Sequence, residues 1–286
     1  MRRPAFFALF LAACLPLAAQ VPADAAGDAA WARRSEGRQG DRAAPGPINE
    51  AIAAYERAVK EQPDNLEAYG KLLRALHYKG DYAVLTKEGK QQVFGRGRDV
   101  VEAALDRIAR RIGGTAGRKK LDDLPPPQVA KLAKGIPEAP HIFLWGAIHW
   151  GLWGDVYGRM AAARQGVGEK IRRYGEVAVA LDERFEKAGG HRLLGRLHTL
   201  APKIPFVTGW VDRDAAVTHL RRAVALAPDD LYNQVYLADA LLQHHSEKAA
   251  EAKEILRRVV QKKPDPARVV EDERALAEAR QLLGGR

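Results

Sequence analysis

The chain has 286 residues, of which 47% are hydrophobic and 29% are charged. This is the composition of a globular protein, and it excludes wholesale disorder and a collagen-like fibre. Helix-forming residues (Ala, Leu, Arg, Glu and Lys) dominate, which argues against an all-β sandwich. A single cysteine excludes an intrachain disulfide framework and cysteine-cluster metal sites.

The N-terminus has the pattern of a secretory signal, which we assign to residues 1–19. Two arginines precede the apolar run 5–15, which is too short to span a membrane permanently. Leu11-Ala12-Ala13-Cys14 matches a bacterial lipobox, so Cys14 is a candidate for lipidation; an ordinary signal peptidase cutting near Ala19 is the alternative. Both routes place the mature protein in the periplasm, with or without a lipid anchor. Export argues against nucleic acid as a partner despite the formal charge of +10.

The next segment, 20–47, is rich in Ala, Gly, Arg and Asp and ends at Pro45 and Pro47. This composition predicts a disordered tether. Behind a lipidated cysteine, such a tether would hold the folded part of the protein off the membrane.

A repeated spacing organises the remainder of the chain. In two segments a small residue is followed by a large apolar residue four positions later, by alanine three positions after that, and by proline five positions further on. The two sets are Ala51, Tyr55, Ala58 and Pro63, and Ala216, Leu220, Ala223 and Pro228. The first three residues of each set share one helical face, and the proline ends the helix.

This spacing resembles the second helix of the tetratricopeptide repeat, a two-helix unit of about 34 residues. Further helices with compatible spacing pass through Tyr69, Trp145, Leu194 and Leu237, and a closing helix is expected over 266–283. The resemblance implies an all-α fold, an irregular tetratricopeptide-like α-solenoid of about four helix pairs covering residues 48–286. Glycines and three consecutive prolines predict a loop at 112–140 that interrupts the array.

Several sequence segments do not belong to the generic repeat pattern. They are Phe94-Gly-Arg-Gly-Arg-Asp99, Leu144-Trp-Gly-Ala-Ile-His-Trp-Gly-Leu-Trp-Gly154, Gly190-His-Arg-Leu-Leu-Gly195 and Ala201-Pro-Lys-Ile-Pro205. Their order over residues 90–262 is similar to the TatT component family, the lipoprotein-type T subunits associated with some tripartite ATP-independent periplasmic (TRAP) transporters.

That resemblance implies an accessory role without catalysis, in which a helical protein with an apolar channel engages a periplasmic solute-binding protein. The alternative is a general cell-envelope scaffold for protein–protein interactions. We found no HExxH, GxSxG or SxxK motif, so we predict no enzyme, no metal and no cofactor. The sequence leaves open whether the protein is a homo-oligomer.

The predicted binding groove follows from the repeat register. With Trp145 at the position of the large aromatic residue, the concave positions are Phe143, Gly146, Trp150 and Trp153. The matching positions on the helix through Leu194 include Arg192 and Arg196. An aromatic stripe beside two arginines predicts a groove for a small organic acid or an acidic, apolar partner segment. The alternative is that the aromatic residues pack between helices, covered by another part of the chain such as 112–140.

Overall fold

The computed structural model describes residues 24–205 and 207–285, apart from the side chain of Thr115. The predicted all-α class is confirmed, since these residues form a helical, repeat-like fold and contain no strand. The helices are α1 (Ala25–Ala32), α2 (Pro45–Glu61), α3 (Leu66–Tyr78), α4 (Lys87–Gly113), α5 (Gly117–Asp123), α6 (Pro126–Ala133), α7 (Ala139–Tyr157), α8 (Arg159–Arg164), α9 (Val167–Leu181), α10 (Phe185–Leu200), α11 (Arg213–Leu226), α12 (Leu231–His244), α13 (Ala249–Val259) and α14 (Val269–Leu283).

The larger helices form two layers. The inner layer consists of α3, α7, α10, α12 and α14, and each of these packs against the next. The outer layer consists of α2, which packs on α3, and of α4, α9, α11 and α13, each of which lies between two consecutive inner helices. The pairs α3/α4, α7/α9, α10/α11 and α12/α13, with α14 as the closing helix, agree with the predicted arrangement.

Two junctions between an outer and an inner helix are built identically. Pro63 and Pro228 each lie two residues before the residue that caps the next helix. The side chain of Asn65 accepts a hydrogen bond from Ala68 N, and that of Asp230 accepts one from Asn233 N, both at 3.1 Å. These side chains satisfy backbone donors that a helix start leaves free, so the sharp reversal is encoded locally.

The two ends of the array meet. The hydroxyl of Tyr82, in the π-helical turn Lys79–Ala83 that follows α3, lies 3.2 Å from the hydroxyl of Tyr232 on α12. Arg34 lies 3.2 Å from the carboxylate of Glu271 on α14, and Val270 is buried in the apolar cluster formed by the N-terminal helices. The inner layer therefore curves into a closed arrangement that surrounds a central space.

The predicted disordered tether at 20–47 is wrong for the described part, residues 24–47. Residues Ala25–Ala32 form α1, where Ala30 is buried and the Trp31 ring packs edge-on against Tyr78 at 5.5 Å. The charges that suggested disorder are paired, because Lys71 binds the carboxylates of Asp24 and Asp28. Composition alone could not reveal these partners, which lie far along the chain.

The predicted loop at 112–140 is also wrong, because it contains α5 and α6. Leu121 on α5 and Val129 on α6 are buried in the central core. Pro126 occupies the first position of α6, where proline favours a helix start. Gly117 is required for close packing, since a Cβ there would lie 1.7 Å from the carbonyl oxygen of Ala109.

The predicted signal segment 1–19, including Cys14, lies outside the described residues. Within the described ranges, no helix has the length and apolar character needed to cross a membrane.

A buried histidine fixes the packing of α4 against α7. His149 is fully buried, and its Nε2 donates a hydrogen bond to the carbonyl oxygen of Leu73 at 2.8 Å. Gly97 on α4 faces the same imidazole, and a Cβ at this position would lie 2.1 Å from Nδ1 of His149. Glycine is therefore needed at position 97, because burial and the hydrogen bond to Leu73 hold the imidazole in place.

We predict that Gly97→Ala destabilises the protein. Alanine favours a helix over glycine by about 1 kcal/mol, but overpacking against the fixed imidazole costs about 1–3 kcal/mol, so the melting temperature should fall. Gly95→Ala is the matched control on the same helix, because its Cβ meets only the hydroxyl of the exposed Tyr157, at 3.2 Å. An equal or higher melting temperature for Gly97→Ala would contradict the described packing of α4 on α7.

Candidate functional site

The predicted aromatic groove is not an open surface. Phe143, Trp150 and Trp153 expose only 1%, 2% and 6% of their surface, and Gly146 is also buried. The prediction of a ligand groove at these positions is therefore wrong, and the alternative that the aromatic residues pack between helices is correct.

Helices α4 and α9 cover this stripe. The ring of Phe143 packs edge-on against Tyr174 at 5.9 Å, and Gly146 lies against Val101. The ammonium of Lys170 sits 3.6 Å from the centre of the Trp150 ring. The physical reason is that α7 is the central helix of the fold and is apolar on most of its faces. The residues that would line the concave surface of an open solenoid therefore contact outer helices in this protein.

The two predicted arginines face α12 instead. Arg192 donates to the side-chain oxygen of Asn233 at 3.0 Å and lies 3.4 Å from the carboxylate of Asp230. Arg196 forms an ion pair with Asp239, and its guanidinium stacks 4.4 Å from the centre of the Tyr236 ring. The aromatic stripe faces α4 and α9, so the structure does not join it to the arginines in one groove.

Arg196 belongs to a different surface, which we call the inner face. It comprises side chains from the inner helices and from the turn after α3 that border the enclosed space. Its members are His77, Asp81, Tyr82, Arg196, Tyr232, Tyr236 and Glu278.

Three tyrosines form a continuous part of the inner face. Tyr82 contacts Tyr232 through the hydroxyls, and the rings of Tyr232 and Tyr236 lie 5.3 Å apart. Burial raises the pKa of all three phenols above the ordinary value. These side chains are therefore neutral at any physiological pH, and they offer hydroxyl donors and aromatic faces.

Carboxylates occupy the remainder of the inner face. Burial opposes ionisation of Asp81, but the His77 imidazole, 3.2 Å away, outweighs it and holds the pKa of Asp81 below its ordinary value. Burial raises the pKa of Glu278, although the nearby Arg196 and Arg274 oppose the rise.

A cavity of about 250 Å³ lies at the C-terminal end of the inner face. Helices α10, α12 and α14 form its walls, with the lining residues Arg196, Val235, Tyr236, Asp239, Glu278, Gln281 and Leu282. This volume is close to the lower bound for small-molecule pockets, about 300 Å³. The arrangement combines hydrogen-bonding groups, charges of both signs and aromatic surface, which is the chemistry of recognition.

Sequence reasoning identified only Arg196 among the inner-face residues. The sequence signal that was missed is the four-residue spacing of Tyr232 and Tyr236, which places both rings on one face of a correctly predicted helix. Asp81 and Glu278 carried no such signal. Among the described residues, no group of three or more His, Cys, Asp or Glu side chains could hold a metal ion.

No protein-family model matches the chain, and no curated protein matches it.

Buried histidines make stability depend on pH. Burial lowers the pKa of His149 to about 4, and that of His219 also to about 4. Nδ1 of His219 lies 2.9 Å from Nδ1 of His191, so one ring donates to the other, and protonation of both would abolish this hydrogen bond. An unfolded chain binds these protons near pH 6.5, whereas the folded chain does not.

We predict that the melting temperature falls as the pH drops from 6.5 to about 4, because the unfolded state takes up protons that the folded state excludes. For His149 alone the loss is at most about 3 kcal/mol. The substitution His149→Gln keeps a donor for Leu73 O and removes the titrating group, so its melting temperature should depend less steeply on pH, measured by circular dichroism in buffers of constant ionic strength. Identical slopes for wild type and His149→Gln would contradict this account.

Proposed function

We propose that the chain is an exported, lipid-anchored binding subunit of a periplasmic solute-uptake system and that it is not an enzyme. The observation that carries the proposal is the closed helical array, which encloses an inner face with a cavity of about 250 Å³. A concave space lined by charged, hydroxyl-bearing and apolar side chains favours recognition of a ligand or of a partner segment.

The partner follows from the resemblance to the TatT component family over residues 90–262. In this proposal a periplasmic solute-binding protein docks on the array and exchanges its solute with the inner face. Cys14 carries the lipid that keeps the complex beside the membrane permease. Anchoring by several acyl chains is stable, whereas a single chain binds only marginally.

The second candidate, a general envelope scaffold, is favoured by one surface feature. Met160 on α8 exposes 72% of its surface, and Leu200 and Val207, in and after the last turn of α10, expose 55% and 60%. Both α8 and the segment after α10 adjoin the start of α9, where Gly168 lies close to Thr208. Exposed apolar side chains of this size, beside the start of α9, are suited to contact with another protein.

We predict that the tagged protein, cross-linked in its native envelope, captures a solute-binding protein or a permease subunit. The captured proteins are identified by mass spectrometry and quantified against an empty-tag control. Enrichment of envelope proteins that belong to no uptake system would contradict the transport role and favour the scaffold.

Two variants locate the contact. Met160→Ser combined with Val207→Ser should reduce capture at least fivefold if this exposed apolar surface beside α9 is the docking surface for either class of partner. Leu85→Ser is the matched control, because Leu85 is exposed by 69% in the segment between α3 and α4. Unchanged capture by the double variant would move the docking surface elsewhere on the array.

A further inference from the structure

The exposed apolar side chains of the protein are concentrated in two segments. Of the seven large apolar side chains that the described part of the chain exposes, five lie at the α7–α8 junction or at the end of α10 and in the turn after it. We call these five side chains the apolar rim, and they are Tyr157, Met160, Leu200, Ile204 and Val207. Both segments border the first turn of α9, because α8 packs on α9 and a Cβ at Gly168 would lie 3.6 Å from Cγ2 of Thr208.

Hydrogen bonds hold the second segment of the apolar rim in one shape. The hydroxyl of Thr208 accepts a hydrogen bond from Ile204 N at 2.9 Å and donates one to the carbonyl oxygen of Pro202. The backbone N–H of Thr208 donates to the carbonyl oxygen of Ile204, also at 2.9 Å. The exposure of Ile204 and Val207 is therefore a property of a folded turn.

The surroundings of the apolar rim are positively charged. Residues 156–168 and 199–211 include three basic residues and no Asp or Glu. The basic residues are Arg159, Arg164 and Lys203, and all three are exposed. Among the described residues, no carboxylate lies within ion-pair distance of any of them. Their charges are thus available to an external anionic surface.

The acids that flank these two ranges do not cancel this charge. Glu169 forms an ion pair with Arg172 on α9. The carboxylate of Asp212 accepts hydrogen bonds from backbone N–H groups at the start of α11. Asp155 then leaves one negative charge against three positive ones.

Exposed apolar side chains beside unpaired cations form a surface that suits an anionic lipid bilayer. The apolar groups enter the boundary between headgroups and acyl chains, while the long basic side chains keep their charges at the phosphates. Each basic residue near an anionic leaflet strengthens binding about fivefold. A protein partner would have to place an acid opposite each cation, whereas a leaflet rich in anionic lipid meets all three at any rotation about the membrane normal.

We propose that the apolar rim binds the surface of an anionic phospholipid bilayer and thereby orients the helical array against the membrane. The inference goes beyond the proposed function, because it holds whether or not Cys14 is lipidated and whichever protein the array engages. The apolar side chains of the rim enter the headgroup boundary, and the three cations lie at the level of the lipid phosphates.

Sedimentation with lipid vesicles tests the proposal. The chain from Gln20 onward retains every described residue and lacks both the apolar run 5–15 and Cys14, so neither can bind the vesicles. We expect vesicles of equal parts phosphatidylglycerol and phosphatidylcholine to bind this chain at least tenfold more tightly than vesicles of phosphatidylcholine alone. Added salt should weaken the binding, because it screens exposed charges.

Two double variants locate the contact, each with its fold verified by circular dichroism. Arg159→Gln combined with Lys203→Gln should weaken binding to the anionic vesicles at least tenfold. Lys131→Gln combined with Lys134→Gln is the matched control, since it removes the same charge beside the exposed Leu132 on α6, outside the rim, and should leave binding unchanged.

Three outcomes would overturn the inference. They are no binding to the anionic vesicles, equal binding to neutral and anionic vesicles, and equal binding of the rim variant and its control. Absence of vesicle binding, together with reduced capture by Met160→Ser and Val207→Ser, would assign the rim to a protein partner. The vesicles contain no protein, so failure to capture a transport component would remove the proposed function without affecting this test.

Discussion

The hydroxyl contact between Tyr82 and Tyr232 joins two parts of the chain that are 150 residues apart, and it is one of the contacts that close the array, on which the remaining architecture depends. An α-solenoid of this length has two free ends by default, and each end normally exposes apolar surface that a polar cap must cover. Here the first and last helices cover each other, with Val270 buried among N-terminal side chains. Closure turns the concave side of the array into an enclosed space, and it explains why phenols on that side have raised pKa values.

Closure also separates the charged side chains of the outer surface from those of the inner face. Many arginines on the outer helices form ion pairs at the surface, such as that between Arg222 and Glu183, which contribute little to stability. On the inner face, Arg196 is held by Asp239 and by the ring of Tyr236, so it organises the wall and does not attract anions.

The helices were predictable from the sequence because their signals are local. The spacing around Ala58 and Ala223, both buried where helices touch, gave the register of α2 and α11 correctly. The binding surface was not predictable in the same way. The prediction took the residues on the concave side of a regular repeat to be exposed, and this holds only where no other helix covers them. Trp150 occupies such a position but lies beneath Lys170, because α9 packs over α7. Helix α1 was missed for a related reason: its partners lie more than 40 residues away, as in the pairing of Lys71 with Asp28.

A double-mutant cycle on Tyr82 and Tyr232 tests most directly whether the array closes. The free energy of unfolding would be measured by urea denaturation for wild type, Tyr82→Phe, Tyr232→Phe and the double variant. If the hydroxyls meet across the closure, each single variant leaves one buried hydroxyl unsatisfied, and the coupling free energy should be about 1 kcal/mol. Strictly additive effects, within about 0.3 kcal/mol, would show that the two ends do not meet and would contradict the enclosed inner face on which the proposed binding function rests.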